Sequence, residues 1–168
     1  LTPFKLKNFQ IDREAAANRF AVELLMPTYL FSKAAHDKTM TIESARVLAA
    51  QFRVSLTAAA IRLVELGSYP AIVVCSSKNG YQWSWRHPEI PLSIRVNRLI
   101  SRHSVAQHLH SDAKFEPPGP TTVDADDWVS HTQVEDYVLT EDSVRIGRDS
   151  VLSLIWWHDE GPLISYDL

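Results

Sequence analysis

Glu14 and Asn18 stand four residues apart in the stretch Asp12-Arg13-Glu14-Ala15-Ala16-Ala17-Asn18-Arg19-Phe20-Ala21-Val22-Glu23-Leu24-Leu25-Met26-Pro27. If that stretch is helical, the two side chains lie one turn apart on one side. A Glu oxygen is a good zinc ligand, and an amide one turn on could hold it in place. The plainer reading is a first-turn acid at the positive end of a helix, followed by a solvated amide. Residue types alone leave both readings open. Three histidines, His103, His108 and His110, also fall close together. His108 and His110 share a face only in a strand, and no carboxylate or cysteine has matching ligand spacing, so structural or solvated roles are expected. Cys75 has no activating neighbour and reads as an inert, half-buried thiol.

The helix that must carry Glu14 is expected over 12–26. Asp12 is a candidate N-cap, three alanines follow, and Pro27 opposes further helical geometry. Ala17, Phe20, Ala21, Leu24 and Leu25 form its apolar stripe. Residues 1–11, with Pro3, read as a loop leading into it. A short helix is expected after Pro27, through Tyr29, Leu30 and Phe31, with Pro27 at its first position.

The quoted residues from Glu14 to Pro27 resemble the second signature of the ImmA/IrrE zinc metallopeptidases, bacterial and phage proteins that cleave transcriptional repressors. The resemblance implies Glu14 as a third zinc ligand, with Asn18 supporting it and Asp12 as the alternative ligand if the helix register differs. In that family, an upstream helix bearing His-Glu-x-x-His supplies two zinc ligands and the general base. No such motif occurs in this chain. The expectation is therefore the C-terminal portion of a longer metallopeptidase, zinc-dependent when complete but metal-free and inactive as given, with no catalytic residue of its own. A natural protein that has lost its metal site is the alternative. The implied partner is a protein substrate, a transcriptional repressor.

Further along, Thr41 and Ser55 are candidate caps for helices over 42–52 and 56–66, with Gly67 closing the second. Leu48 to Ser55 resembles the first half of a helix-turn-helix. The following helix, with Thr57, Arg62 and Glu65 among apolar residues, is a poor reader of base edges, so DNA is not an expected partner. The ImmA/IrrE-like proteins carry a similar helix pair beside the metallopeptidase core.

From Tyr69 the hydrophobic period changes to alternation. Ala71–Cys75 and Tyr81–Trp85 flank Lys78-Asn79-Gly80 and predict a β-hairpin. Residues 92–111 fit either an edge strand or a short helix. Pro117-Pro118-Gly119-Pro120 reads as a stiff linker. Strands over 137–146, 151–157 and 163–166 would complete an antiparallel meander, with Trp128, Trp156 and Trp157 as its large apolar content. The stretches from Val123 to Trp128 and from Glu141 to Trp157 also resemble the family's C-terminal part, less specifically.

The fold class expected is thus α+β: N-terminal helices with a helix-turn-helix-like pair, then an antiparallel sheet. Residues 1–67 would be the helical part of a truncated zincin-like core, and 68–168 the mainly β region. A regulatory or protein-interaction module without catalysis is the competing function. The charge is uneven: residues 1–67 carry nine Lys/Arg and six Asp/Glu, the rest eight and fourteen. Neither part has the basic footprint of a dedicated nucleic-acid binder. No apolar run has the length of a membrane span, and the single cysteine suits a reducing cytoplasm.

Overall fold

The computed structural model describes residues 3–130 and 137–157, with side chains from Arg13 onward. Helix α1 runs from Pro3 to Leu25, earlier than the sequence suggests. Proline is well suited to a first helical turn, where its missing N–H has no partner to lose. Pro3 therefore opens the helix rather than marking a loop, and Asp12 lies in its interior instead of capping it. The expected apolar stripe faces outward: Phe20, Leu24 and Leu25 are exposed, while Met26 is buried and Val22 half-buried.

Helix α2, Thr28–Ala35, follows directly. Helix α3, Ile42–Phe52, is capped by Thr41 Oγ1, which accepts from Ser44 N at 3.1 Å. Helix α4, Leu56–Leu66, is capped in the same way by Ser55 on Ala58 N at 3.1 Å. The α3–α4 pair bends by 108° at a tight turn. There Arg53 adopts φ 54°, and Val54 N donates to Ala49 O while Arg53 N donates to Ala50 O. This is the paired closure of a left-handed helix end. Gly67 ends α4 with an ordinary negative φ, so its conformational freedom is not what is used. A Cβ at Gly67 would lie 2.5 Å from the backbone Leu63 O as well as against the Met40 side chain, so close packing favours glycine there.

Strands β1, Ala71–Ser77, and β2, Gly80–Arg86, form the expected hairpin, with a register shift between Cys75 and Ser76. Of its turn residues only Gly80 takes positive φ. The ambiguous region resolves into a two-residue strand, β3, Arg95–Val96, and a helix, α5, Val105–Ser111. Strand β4, Thr121–Asp124, leads through a 3₁₀ turn, Ala125–Asp127, to β5, Val129–Ser130. Strands β6, Val138–Arg145, and β7, Ser150–Trp156, complete the described chain. The strand expected over 163–166 lies outside the described residues.

The main sheet is antiparallel throughout, in the order β2-β1-β7-β6-β4, and β3 pairs with β5 apart from it. It is not a simple meander, because β7 returns to pair with β1 along its whole length, Ala71 opposite Trp156 to Ser77 opposite Ser150. The intervening segment crosses one face of the sheet, where Ile90, Ile94, Val105, Leu109 and Trp128 pack on Ile72, Val74 and Ile155. Helices α2, α3 and α4 cover the other face, against Val73, Leu152, Leu154 and Trp156. Alternation along β1 and β7 thus feeds two cores. The α+β class stands as expected.

Candidate functional site

Helix α1 carries the candidate zinc ligand. Glu14 and Asn18 are both exposed on it, and Glu14 sits in the helix interior rather than in the first turn. The dipole argument for a first-turn acid therefore falls away, since that field fades beyond the terminal turn. The side chain of Asp12, the alternative ligand, lies outside the described side chains. Asn18 lines a groove of about 890 Å³ between α1 and α4, together with Val22, Glu23, Arg62, Glu65 and Trp85. Glu14 lies outside that lining.

The second half of the stretch, Glu23 to Pro27, has a different job. Glu23 accepts from Thr28 Oγ1 at 2.6 Å and from Thr28 N at 3.1 Å, so it caps the start of α2. It also pairs with the buried Arg62 guanidinium. Arg62 Nη2 reaches Thr28 Oγ1 at 2.8 Å and Met26 O at 3.1 Å, while Nη1 meets Glu65 at 2.8 Å. The Thr28 hydrogen bonds, with Arg62 beside them, hold the Glu23 carboxyl down at about 2. By sequence, the helix carrying Arg62 has a packing role rather than a DNA-reading one, with no ion partner named for that residue. Its position among apolar residues of α4, and the acids at 23 and 65, were the available signals for an ion-pair clasp. Helix α4 itself presents no exposed residue.

The histidines separate. His103 accepts from Arg102 Nε at 3.1 Å on the surface, and His108 is exposed with its ring 5.3 Å from that of Phe115. His110 is buried, with Nε2 2.9 Å from Ser76 Oγ. A helix rather than a strand carries the last two, so they point to different sides. Cys75 is buried in β1, and burial pushes its thiol pKa up, away from reactivity.

Among the described residues, the one trio of carboxylates close enough to share a cation is Asp124, Asp126 and Asp127, with ligand atoms within 4.8 Å of one another. Asp127 there already accepts from Ser101 Oγ. Glu14 belongs to no such group. One carboxylate and a neighbouring amide do not make a tetrahedral set, so the described side chains do not fit a complete zinc site.

Two adjacent buried acids on β6, which the sequence offers only through resemblance, tie the sheet to a helix on each face. Glu141 Oε2 accepts from Val105 N at 3.1 Å and Trp128 Nε1 at 2.9 Å. Its Oε1 accepts from Ala106 N at 2.8 Å and Ser143 Oγ at 2.7 Å. Asp142 Oδ2, on the opposite face of β6, accepts from Ile42 N at 2.7 Å.

Residues 6–64, which cover most of α1 and all of α2 and α3 and reach into α4, match a peptidase family model described as the IrrE N-terminal-like domain. No curated protein matches the chain.

Proposed function

From residues 6–64 as an ImmA/IrrE-like segment, we propose that this chain is the C-terminal portion of a zinc-dependent metallopeptidase that cleaves a transcriptional repressor in a bacterial or phage regulatory or stress response. The observation that carries the reading is Glu14 standing exposed on α1 inside the matched stretch, with Asn18 one turn on. Its carboxylate is open to a metal whose other ligands would come from a segment preceding α1. The outward stripe of Phe20, Leu24 and Leu25 offers that segment an apolar surface to cover. Bound zinc would supply an activated water for peptide hydrolysis. This chain would contribute Glu14 as a ligand and Asn18 as its positioning amide, and would be inactive and zinc-free alone. Among the described residues no helix is long and apolar enough to cross a membrane. The proposed setting is the cytoplasm, where repressors work.

The rival reading, an interaction module without catalysis, draws on the acidic C-terminal part and on Trp-rich strands. Trp128, Trp156 and Trp157 are buried, which removes that surface, though Trp85 is half exposed. A DNA-reading role finds little support in a second helix with no exposed residue.

The test is zinc content and repressor cleavage of the protein expressed from its whole reading frame, as wild type and as Glu14→Gln. The charge-removing change should cut both sharply, while the melting temperature of the metal-free form barely moves. Lys33→Gln, an exposed change on α2, is the control. Glu23→Gln is unsuitable because it breaks the Arg62 clasp. Full activity and full zinc in Glu14→Gln would sink the assignment.

A further inference from the structure

At the end of the sheet farthest along β1, three elements close around a cavity of about 150 Å³, lined by Lys78, His110, Ser111, Arg145, Arg148 and Asp149 among others. Strand register explains the convergence. Ser77 pairs with Ser150, so the turn after β1 and the turn before β7 lie side by side, delivering Lys78 next to Arg148 and Asp149. The C-terminal end of α5 adds His110 and Ser111.

The charges there are not balanced by the protein. Lys78 and Arg148 take no ion-pair partner among the described residues. Asp149 is the one acid in the lining. Arg145 is spent on architecture: it donates to Leu109 O from Nε at 3.2 Å and Nη2 at 2.9 Å, and to Phe115 O from Nη1 at 3.0 Å. It still adds its positive field. His110 is held by Ser76 through Nε2, so Nδ1 is the ring nitrogen left to a ligand. Burial, then the cations Lys78 and Arg145, push the imidazole pKa down, and Asp149 pulls weakly the other way. The lining therefore sets a ring kept neutral by burial among three cations and one acid.

We propose that this cavity binds one phosphate-sized oxyanion, held by Lys78, Arg148 and the His110 imidazole. The volume suits a single such group and is well below that of sites for drug-sized ligands, ~300 Å³ upward. Ammonium and guanidinium donors converging on one point are the usual means of holding it. The site lies apart from α1 and does not depend on the zinc reading. Bound oxyanion would favour the imidazolium, because an opposite charge nearby raises a histidine pKa. Binding and proton uptake by His110 are thus coupled. The groups facing His110 are Ser76 from β1, Lys78 from the turn after it, Arg145 from β6 and Asp149 from the turn before β7, and Arg148 lines the same cavity.

The experiment is an NMR titration of the histidine ring signals with inorganic phosphate, against sodium chloride at matched ionic strength. His110 is identified by loss of its signal in His110→Gln. Phosphate should shift the His110 signals saturably, with a dissociation constant below about 10 mM, and move their titration to higher pH. The double variant Lys78→Glu with Arg148→Glu changes two exposed side chains. It should weaken binding at least about tenfold, with the same melting temperature as wild type. A His110 response no larger than that to chloride, a dissociation constant above that limit, or equal binding by the folded double variant would each overturn the proposal.

Discussion

Adjacent acids on one strand serve two separate cores. Glu141 and Asp142 point to opposite faces of β6, and each takes the first N–H groups of a helix, α5 for one and α3 for the other. Glu141 is fully buried with no cation paired to it among the described residues, so helix N–H groups and an indole carry its compensation. Glu141→Gln turns one acceptor oxygen into an NH₂ group facing donors. The expected cost is about 1–3 kcal/mol, the scale of leaving a buried donor unpaired, read as a lower urea midpoint at unchanged slope. The acids also divide by pH. Burial raises the Asp142 carboxyl above its ordinary value, with Ile42 N–H opposing, so its contribution is present below the unfolded value and lost as pH rises through the folded one. Glu23 is the reverse: its contribution is present above the ordinary value of 4.5 and lost as pH falls toward about 2. Melting curves from pH 2 to 7 should show Glu23→Gln flattening the acid loss below pH 4.5, and Asp142→Asn removing a gain on acidification. Identical pH profiles for wild type and both variants would contradict these directions.

At the level of elements, the sequence announced what local chemistry controls. Helices α3 and α4 carry their capping residues Thr41 and Ser55 in plain view, and both spans agree with expectation. The hairpin was equally legible from Asn79-Gly80 between alternating runs. The start of α1 was not, because Pro3 can open a helix as readily as interrupt one. Its stripe of Phe20, Leu24 and Leu25 has correct helical spacing but no partner in the described chain, and spacing cannot say whether a face is covered. The candidate ligand Glu14 was legible only through resemblance. The Arg62 clasp and the cavity beside His110 join residues distant in sequence, and periodicity carries no such information. The turn between α3 and α4 places Arg53 at positive φ where glycine would be expected. That conformation costs a non-glycine residue about 1–2 kcal/mol, partly offset by the extra freedom glycine loses on folding. Arg53→Gly should therefore raise the melting temperature slightly, and Arg53→Val should lower it. A drop with glycine in thermal melts would show that Arg53 contributes something beyond its backbone.

For the whole molecule, the expected meander failed where connections become long-range. Alternating runs gave β1, β2, β6 and β7 but not the short β4 and β5, and nothing local records that β7 pairs with β1 rather than ending the sheet. The pairing follows from two faces that both need covering: helices α2 to α4 occupy one, and the crossing segment with α5 occupies the other. That strand order bears on how the chain is made. Synthesis proceeds from the N-terminus, and β7 is the last strand described, yet it lies between β1 and β6. Until Ser150–Trp156 has left the ribosome, β1 and β6 each present a bare row of backbone donors and acceptors. Helices α3 and α4 meanwhile lack Leu152, Leu154 and Trp156 to pack against. The nascent chain thus carries the open edge of β1, and then that of β6, while awaiting one insert, and its exposure to misassembly is set by the time needed to translate from β1 through β7.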